Sequence, residues 1–366
     1  MSTDSRQRLI DLFLQLAAIN APSGAEKPVA EFIMTFLADL DVSIKEDDAH
    51  VPGGGDSGNL ICQVGGGGEV VLLAHMDTAR PTEQLQPQVH ADRITSDGTT
   101  ILGADNRAGV AALLHTLEQA ARNPGAFKDY TVAFTICEET GLCGTKHLTL
   151  DERIRMGYAF DSSLRPGHFI HATYGAVRFT AKVQGKAAHA GLEPEKGINA
   201  IQAASRAISD MPLGRPESDL TVNIGTISGG SAVNVVPAET VVKGEVRGRE
   251  KARVNDTVRQ ISERFAASAE QLGAAVDFTS TWEFEPFYVE PDHEVYRQLV
   301  AALEAAGLEP VPHLSPGGSD ANSLNAKGTP ALNVGIGAQK PHSDDEYILI
   351  DDLVKSAEIV RELVRK

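Results

Sequence analysis

"DYTVAFTICEETGLCGT", Asp129 to Thr145, reads as a buried strand that runs into two adjacent glutamates. Its first half alternates and is rich in β-branched and aromatic residues, as strands are. Carrying Glu138 and Glu139 into the last turn gives up burial and sets two negative charges side by side, so something at that strand end must compensate. On either side the pattern recurs. "EVVLLAHMDT" (Glu69–Thr78) and "MGYAFDSS" (Met156–Ser163) are apolar strands that also end in acid or histidine. Between the first strand and the glutamates lies a helical repeat, "NRAGVAALLHTLEQAAR" (Asn106–Arg122). Strands alternating with helices predict an α/β sheet with helices on both faces, which holds its ligands beyond the carboxyl ends of the strands.

Helical periodicity also covers residues 5–19 and 25–40, followed by short strands bounded by "GGGDSG" and "VGGGGE". Neither glycine run opens a helix in a phosphate-binding context, so both read as turns. From Tyr174 the rhythm changes to strand (175–185), helix (196–211), two strands (220–228 and 239–248), helix (251–273) and strand (274–284). That β-α-β-β-α-β order is ferredoxin-like and complete in itself. Residues 175–284 are therefore read as a domain inserted into one made of residues 1–174 and 285–366. The chain returns with a helix at 291–307, the loop "SPGGSDANS" (Ser315–Ser323), the strand "TPALNVGI" and a closing helix.

With 366 residues, 42% of them apolar and 23% charged, the chain has the composition of a soluble two-domain protein. Its net charge of −17 argues against nucleic acid or an anionic membrane as partner. Cys62, Cys137 and Cys143 make no disulfide framework, which points to a reducing, cytoplasmic setting. The amino-terminal stretch mixes acid and base into its apolar pattern, as an amphipathic helix does and a signal peptide does not. No stretch approaches the length of a membrane span.

Five places in the α/β part bring acids or histidines to strand ends: His75 and Asp77, Asp105, Glu138 and Glu139, Asp161, and His342 in "KPHSDDE". Each alone has a plain alternative; Asp105, for example, could cap the helix it precedes. Gathered at one sheet edge they would repel unless a cation sat among them. Two imidazoles with three carboxylates favour zinc, cobalt or manganese over magnesium or calcium. Two metals sharing one carboxylate would use all five groups and activate a water near neutral pH.

The ordered set "AHMDT", "GADNRAG", "CEETGLCGT", "FDSS", "KAAHAG", "GGSDAN" and "PHSDDE" resembles the peptidase T and aminoacylase superfamily of co-catalytic zinc hydrolases, and within it the peptidase T-like aminopeptidases. The resemblance spans nearly the whole chain. It implies a three-layer α/β/α catalytic domain with an inserted ferredoxin-like lid, two divalent metals and a short peptide substrate. Carried over motif by motif, His75 and Asp161 hold one metal, Glu139 and His342 the other, and Asp105 bridges, followed by a cis peptide to Asn106. Asp77 fixes the tautomer of His75, and Glu138 is the general base. His189, in the lid, stabilises the oxyanion from its own or a partner subunit. Asn234 and Arg247 orient the substrate, and Gly318 and Ser319 of the "SPGGSDANS" loop contact it. A homodimer through the lid is a further implication.

The rivals are an N-acyl amino acid amidohydrolase or carboxypeptidase of the same superfamily, and a non-catalytic binding protein on the same scaffold. "CEETGLCGTKHL" is also similar to glutamyl aminopeptidase-like zinc enzymes, whose inserted domain differs. His115 and His147 read as structural and Cys137 as a small buried hydrophobe; His171, His293 and His313 have no assignment.

Overall fold

The computed structural model describes all 366 residues, Met1–Lys366. They divide into two units: Met1–Ala172 with Tyr288–Ser315 and Ser319–Lys366, and Thr173–Phe287 with Pro316–Gly318.

The first unit is built on an eight-stranded sheet. Its order is Ser43–Glu46, Leu60–Val64, Tyr130–Thr135, Val70–His75, Met156–Ser162, Ala331–Gly335, His168–Thr173 and Val311–Ser315. The four middle strands are mutually parallel, and antiparallel strands flank them. From Val70–His75 the chain crosses to the neighbour on one side, Tyr130–Thr135, and then to the neighbour on the other, Met156–Ser162. This reversal opens a crevice at the carboxyl ends of the parallel strands.

The helices lie in two layers. A Cβ on Gly109, in the helix Ala104–Arg122, would sit 3.1 Å from Cβ of Ala74. Leu324, in the helix Asp320–Ala326, and Val71 both approach Gly157, where an added Cβ would lie 2.6 and 3.2 Å from their side chains. Ala74 and Val71 have opposite parity in one strand, so the two helices cover opposite faces. The helices Thr3–Ala17 and Ile350–Val364 pack on Ala104–Arg122. Gly109 marks how close that layer comes: its Cβ would also meet Phe160 O at 2.4 Å.

One feature of this unit had no periodicity by which to read it. A four-stranded sheet joins Ala338–Gln339, Tyr347–Leu349, Arg93–Thr95 and Gln88–Val89, each too short to show a repeat. Its hairpin Ala338–Leu349 carries His342 at the tip.

The second unit is a five-stranded antiparallel sheet ordered Gly214–Glu217, Leu220–Gly229, Glu239–Gly248, Gly175–Gln184, Ala275–Phe284, with the helices Ala200–Ser209 and Lys251–Gln271. The alternate residues Val177, Phe179, Ala181 and Val183 face a core shared with Ala204, Ile261 and Phe265. Burying a side chain such as Phe265 contributes roughly 1.5–3 kcal/mol. The ferredoxin-like order is present, with Gly214–Glu217 added at the edge. Pro316–Gly318, which the sequence reading grouped with residues 285–366, packs with this unit instead. The Arg247 guanidinium donates to Pro316 O at 3.2 Å, and a Cβ on Gly318 would lie 2.6 Å from the Phe284 ring. No helix of the chain is long and apolar enough to cross a membrane.

Candidate metal centre

Register alone brings the first two groups together. Leu73 pairs with Ala159 across parallel strands, so two residues further on His75 stands level with Asp161. The imidazole of His75 is 1% exposed, with Nδ1 3.1 Å from Asp77 O and 3.2 Å from Asp77 Oδ1. That contact commits Nδ1–H to Asp77 and turns Nε2 toward Asp161 Oδ1 at 3.2 Å and Asp105 Oδ1 at 3.1 Å.

Asp105 lies at the start of Ala104–Arg122, where residues 105 and 106 depart from helical geometry and the peptide between them is cis. Its second oxygen, Oδ2, is 3.5 Å from Nε2 of His342, which is in turn 2.8 Å from Glu139 Oε1. One carboxylate thus spans the two imidazoles. The ligand atoms of His75, Asp105 and Glu139 all fall within 4.8 Å of one another. His342 and Cys137, the residue before Glu138, both adopt left-handed backbone (φ 64° and 50°), unusual for non-glycine residues and common at functional sites.

The donor set fits a pair of divalent metals. With Nδ1–H committed, a neutral His75 would present its Nε2 lone pair to two carboxylate oxygens, an arrangement that needs a cation between them. Ligand atoms bound at about 2.0–2.2 Å to one ion stand roughly 3–3.5 Å apart, the spacing of His75 Nε2 from Asp105 and Asp161, while His342 and Glu139 are closer, at 2.8 Å.

Asp77 does more than its sequence position suggested. Fully buried, it accepts from Ser23 Oγ (2.6 Å) and from the backbone N–H groups of Glu138 (3.1 Å) and Glu139 (3.2 Å). It therefore orients His75 and anchors the glutamate pair together.

Sequence reasoning missed three buried groups. Asp320 accepts from Thr135 Oγ1 (2.5 Å) and Thr145 Oγ1 (2.6 Å), which flank the glutamates on either side. Glu346 accepts from the N–H groups of Gly103 and Asp105. Glu26 accepts from the Cys137 N–H (3.0 Å) and thiol (3.3 Å). Asp320 stands inside the quoted "GGSDAN", and Glu346 ends the acidic run "DDE" just before apolar "YILI", which was the available signal. Burial pushes the Cys137 thiol up to about 12, which suits a packing residue and not a nucleophile.

The charges of the centre act on one another. Burial and the neighbouring Asp161 raise the Glu138 carboxyl well above its ordinary 4.5. Burial likewise raises Glu139 and Asp161, and carries Asp320 to about 6 and Glu346 to about 7. Burial would lower His75, but Asp105, Asp161 and Asp77 together raise it well above 6.5. Asp105 and Glu139 carry His342 to about 10.

Each raised value contributes stability that is complete below the unfolded pKa and is lost as pH rises through the folded one. Asp77 and Asp105 are lowered and have the opposite sign, but they titrate below 3.8. The metal-free protein is therefore expected to lose stability as pH rises from about 4, where the raised carboxyls begin to ionise, to about 10, where His342 loses its proton, and added metal to restore it. Thermal unfolding in chelator across that window checks this; a midpoint that stays level or rises would contradict it.

The lid residues sit in the second unit. His189 is exposed; its Nδ1 accepts from the N–H groups of Gly191 and Leu192, both at 3.2 Å. A backbone bridge to Val235 and a bond from Ala190 N–H to Asn234 O (2.9 Å) bring the His189 and Asn234 loops together. Arg247 already forks onto Glu245 (3.0 and 3.2 Å), so a substrate carboxylate would have to displace Glu245 to use the same N–H groups. Ser319, 1% exposed in the first unit, stands before Asp320–Ala326, and its backbone N–H donates to Asn322 Oδ1 at 3.0 Å. His115 is buried with Nε2 3.0 Å from Ser5 Oγ, a structural setting.

Imidazoles and carboxylates gathered at the carboxyl edge of a parallel sheet make a donor set for divalent metal, and the class of protein follows from what the chain is similar to. A model described as "Peptidase dimerisation domain" matches residues 171–276, and one for "Peptidase family M28" matches residues 59–206. A Bacillus subtilis protein, YqjE, described as uncharacterized, is 33% identical over 99% of both chains. Two crystal structures align with 32% identity. The aminopeptidase PepT of Bacillus cereus has a TM-score of 0.89 and 98% coverage of each chain. A tripeptidase of Staphylococcus aureus has a TM-score of 0.90, covering 98% of this chain and 97% of the other. The chain belongs to the peptidase T-like family of metallopeptidases and is a metal-dependent peptidase.

Proposed function

We propose that the chain is a two-metal aminopeptidase acting on short peptides. The observation that carries this reading is the Asp105 carboxylate lying between His75 and His342. Zinc suits the nitrogen and oxygen donors best, with cobalt or manganese as substitutes. His75 and Asp161 would hold one ion, Glu139 and His342 the other, and Asp105 both. When bound, the ions supply Lewis acidity and a water that ionises near neutral pH.

Glu138, left out of the ligand set, takes a proton from the attacking water and delivers it to the leaving amine. Its raised carboxyl pKa brings it closer to the working pH. His189 donates to the substrate oxygen as it gains charge, and the loops of Asn234 and Pro316–Gly318, with Arg247, orient the peptide. The aminopeptidase and tripeptidase among the similar structures support the substrate class. The three free cysteines support a cytoplasmic setting.

A homodimer through the inserted unit is part of the same reading. Gly214–Glu217 covers only Leu220–Val222 of its neighbour, and the rest of the strand to Gly229 is a largely exposed edge carrying Ile227. Such an edge is ready to pair with a second copy. Sedimentation showing only monomer at all concentrations would remove the dimer.

The test of substrate class is a panel of dipeptides, tripeptides and N-acyl amino acids assayed with zinc, cobalt or manganese. Turnover is expected for peptides with a free amino terminus and not for their acylated counterparts. Preferential cleavage of N-acyl amino acids would replace the aminopeptidase with an amidohydrolase.

A further inference from the structure

We propose that Glu346 is a positioning residue that ties the Asp105 turn to the His342 loop and so sets the affinity of the metal pair; the inference rests on the two-metal reading above. Glu346 is 0% exposed, although it ends a run whose other acids, Asp344 and Asp345, are exposed. Its Oε1 accepts the Asp105 N–H at 3.0 Å and its Oε2 the Gly103 N–H at 2.8 Å. These are donors at the start of Ala104–Arg122, where a helix has no internal acceptors to offer. Residues 105 and 106 are not helical, so the helix itself does not hold the Asp105 backbone.

The other end of the clasp is equally fixed. Glu346 N–H donates to Ser343 O, closing the loop that bears His342, and Ser96 N–H donates to Glu346 O, both at 3.0 Å. The strand Tyr347–Leu349 then pairs with Arg93–Thr95. A single carboxylate therefore connects two loops whose side chains, Asp105 and His342, meet at 3.5 Å. Groups that orient metal ligands in this way typically change affinity 10–100-fold when replaced.

Glu346→Gln keeps the shape but presents an amide N–H₂ to one of the two N–H donors, so one bond is lost. Zinc affinity of the metal-free parent and variant is measured by competition with a chromophoric chelator, and the cobalt-loaded forms are compared by their visible d–d bands. The expected result is two metals on the parent and, on the variant, a weaker-site Kd raised by about 10–100-fold with altered bands. Equal Kd values and identical bands would overturn the inference, whatever happens to the unfolding temperature, because a purely structural cap would leave both unmoved. A parent that binds a single metal would overturn the two-metal reading and this inference with it. If the glutamine variant does not fold, Glu346→Asp, shorter by one methylene, is read by the same criteria.

Discussion

Replacing Glu138 by alanine is expected to lower kcat for a tripeptide by about 10²–10⁴-fold while leaving the bound metal unchanged. The two adjacent glutamates are held alike, both backbone N–H groups donating to Asp77, yet their side chains differ in surroundings. Glu139 Oε1 lies against His342, whereas the Glu138 carboxyl is raised by burial and by Asp161. Both stand in the turn beyond Tyr130–Thr135, where Gly141 N–H donates to Glu138 O at 3.1 Å, so the proposed division of labour rests on these different surroundings. Activity and metal content of parent and variant separate the two roles. Equal turnover would remove Glu138 as the base, and loss of metal from the variant would make it a ligand. His189→Ala is the companion test: as an oxyanion donor it should cost about 10²–10³-fold in kcat with metal content intact, and unchanged kinetics would reject it.

The second large effect is expected from Asp105→Ala. Without the shared carboxylate, two protein ligands remain for each ion: His75 with Asp161, and Glu139 with His342. Structural and catalytic zinc sites generally use at least three protein ligands, so the pair should fall to one ion or none. Turnover should drop at least as far as for Glu138→Ala, about 10⁴-fold, because the activated water is lost together with the metal. Circular dichroism of the variant confirms that the fold survives. Full activity with a correctly folded variant would show that Asp105 is only a helix-start residue, the alternative its sequence context allowed.

Much of the fold could be read from residue pattern. Four apolar strands ending in His75, Glu138–Glu139, Asp161 and the approach to His342 set the sheet direction and the edge where the site lies, and period-2 strands from 175 to 284 marked the insertion. What could not be read depended on long-range packing. The strands Gln88–Val89 and Ala338–Gln339 have two residues each, too few for any period, so the hairpin that presents His342 was invisible. Pro316–Gly318 changes unit because of Arg247 and Phe284, some 70 and 30 residues away. The site shows the same division. The residue types pointed to metal, but pairing of ligands and the bridging role came only from family resemblance. Glu346 and Asp320 drew no assignment, because their place beside an apolar run or inside a loop motif does not say which acid of a cluster the fold will bury.

The most direct test of the shared-carboxylate centre is metal stoichiometry. Parent and Asp105→Ala are equilibrated by dialysis against zinc, and bound metal per chain is counted by elemental analysis. Two ions on the parent and no more than one on the variant are predicted. A single ion on the parent, or two retained by the variant, would contradict an Asp105 that joins His75 and His342 through metal.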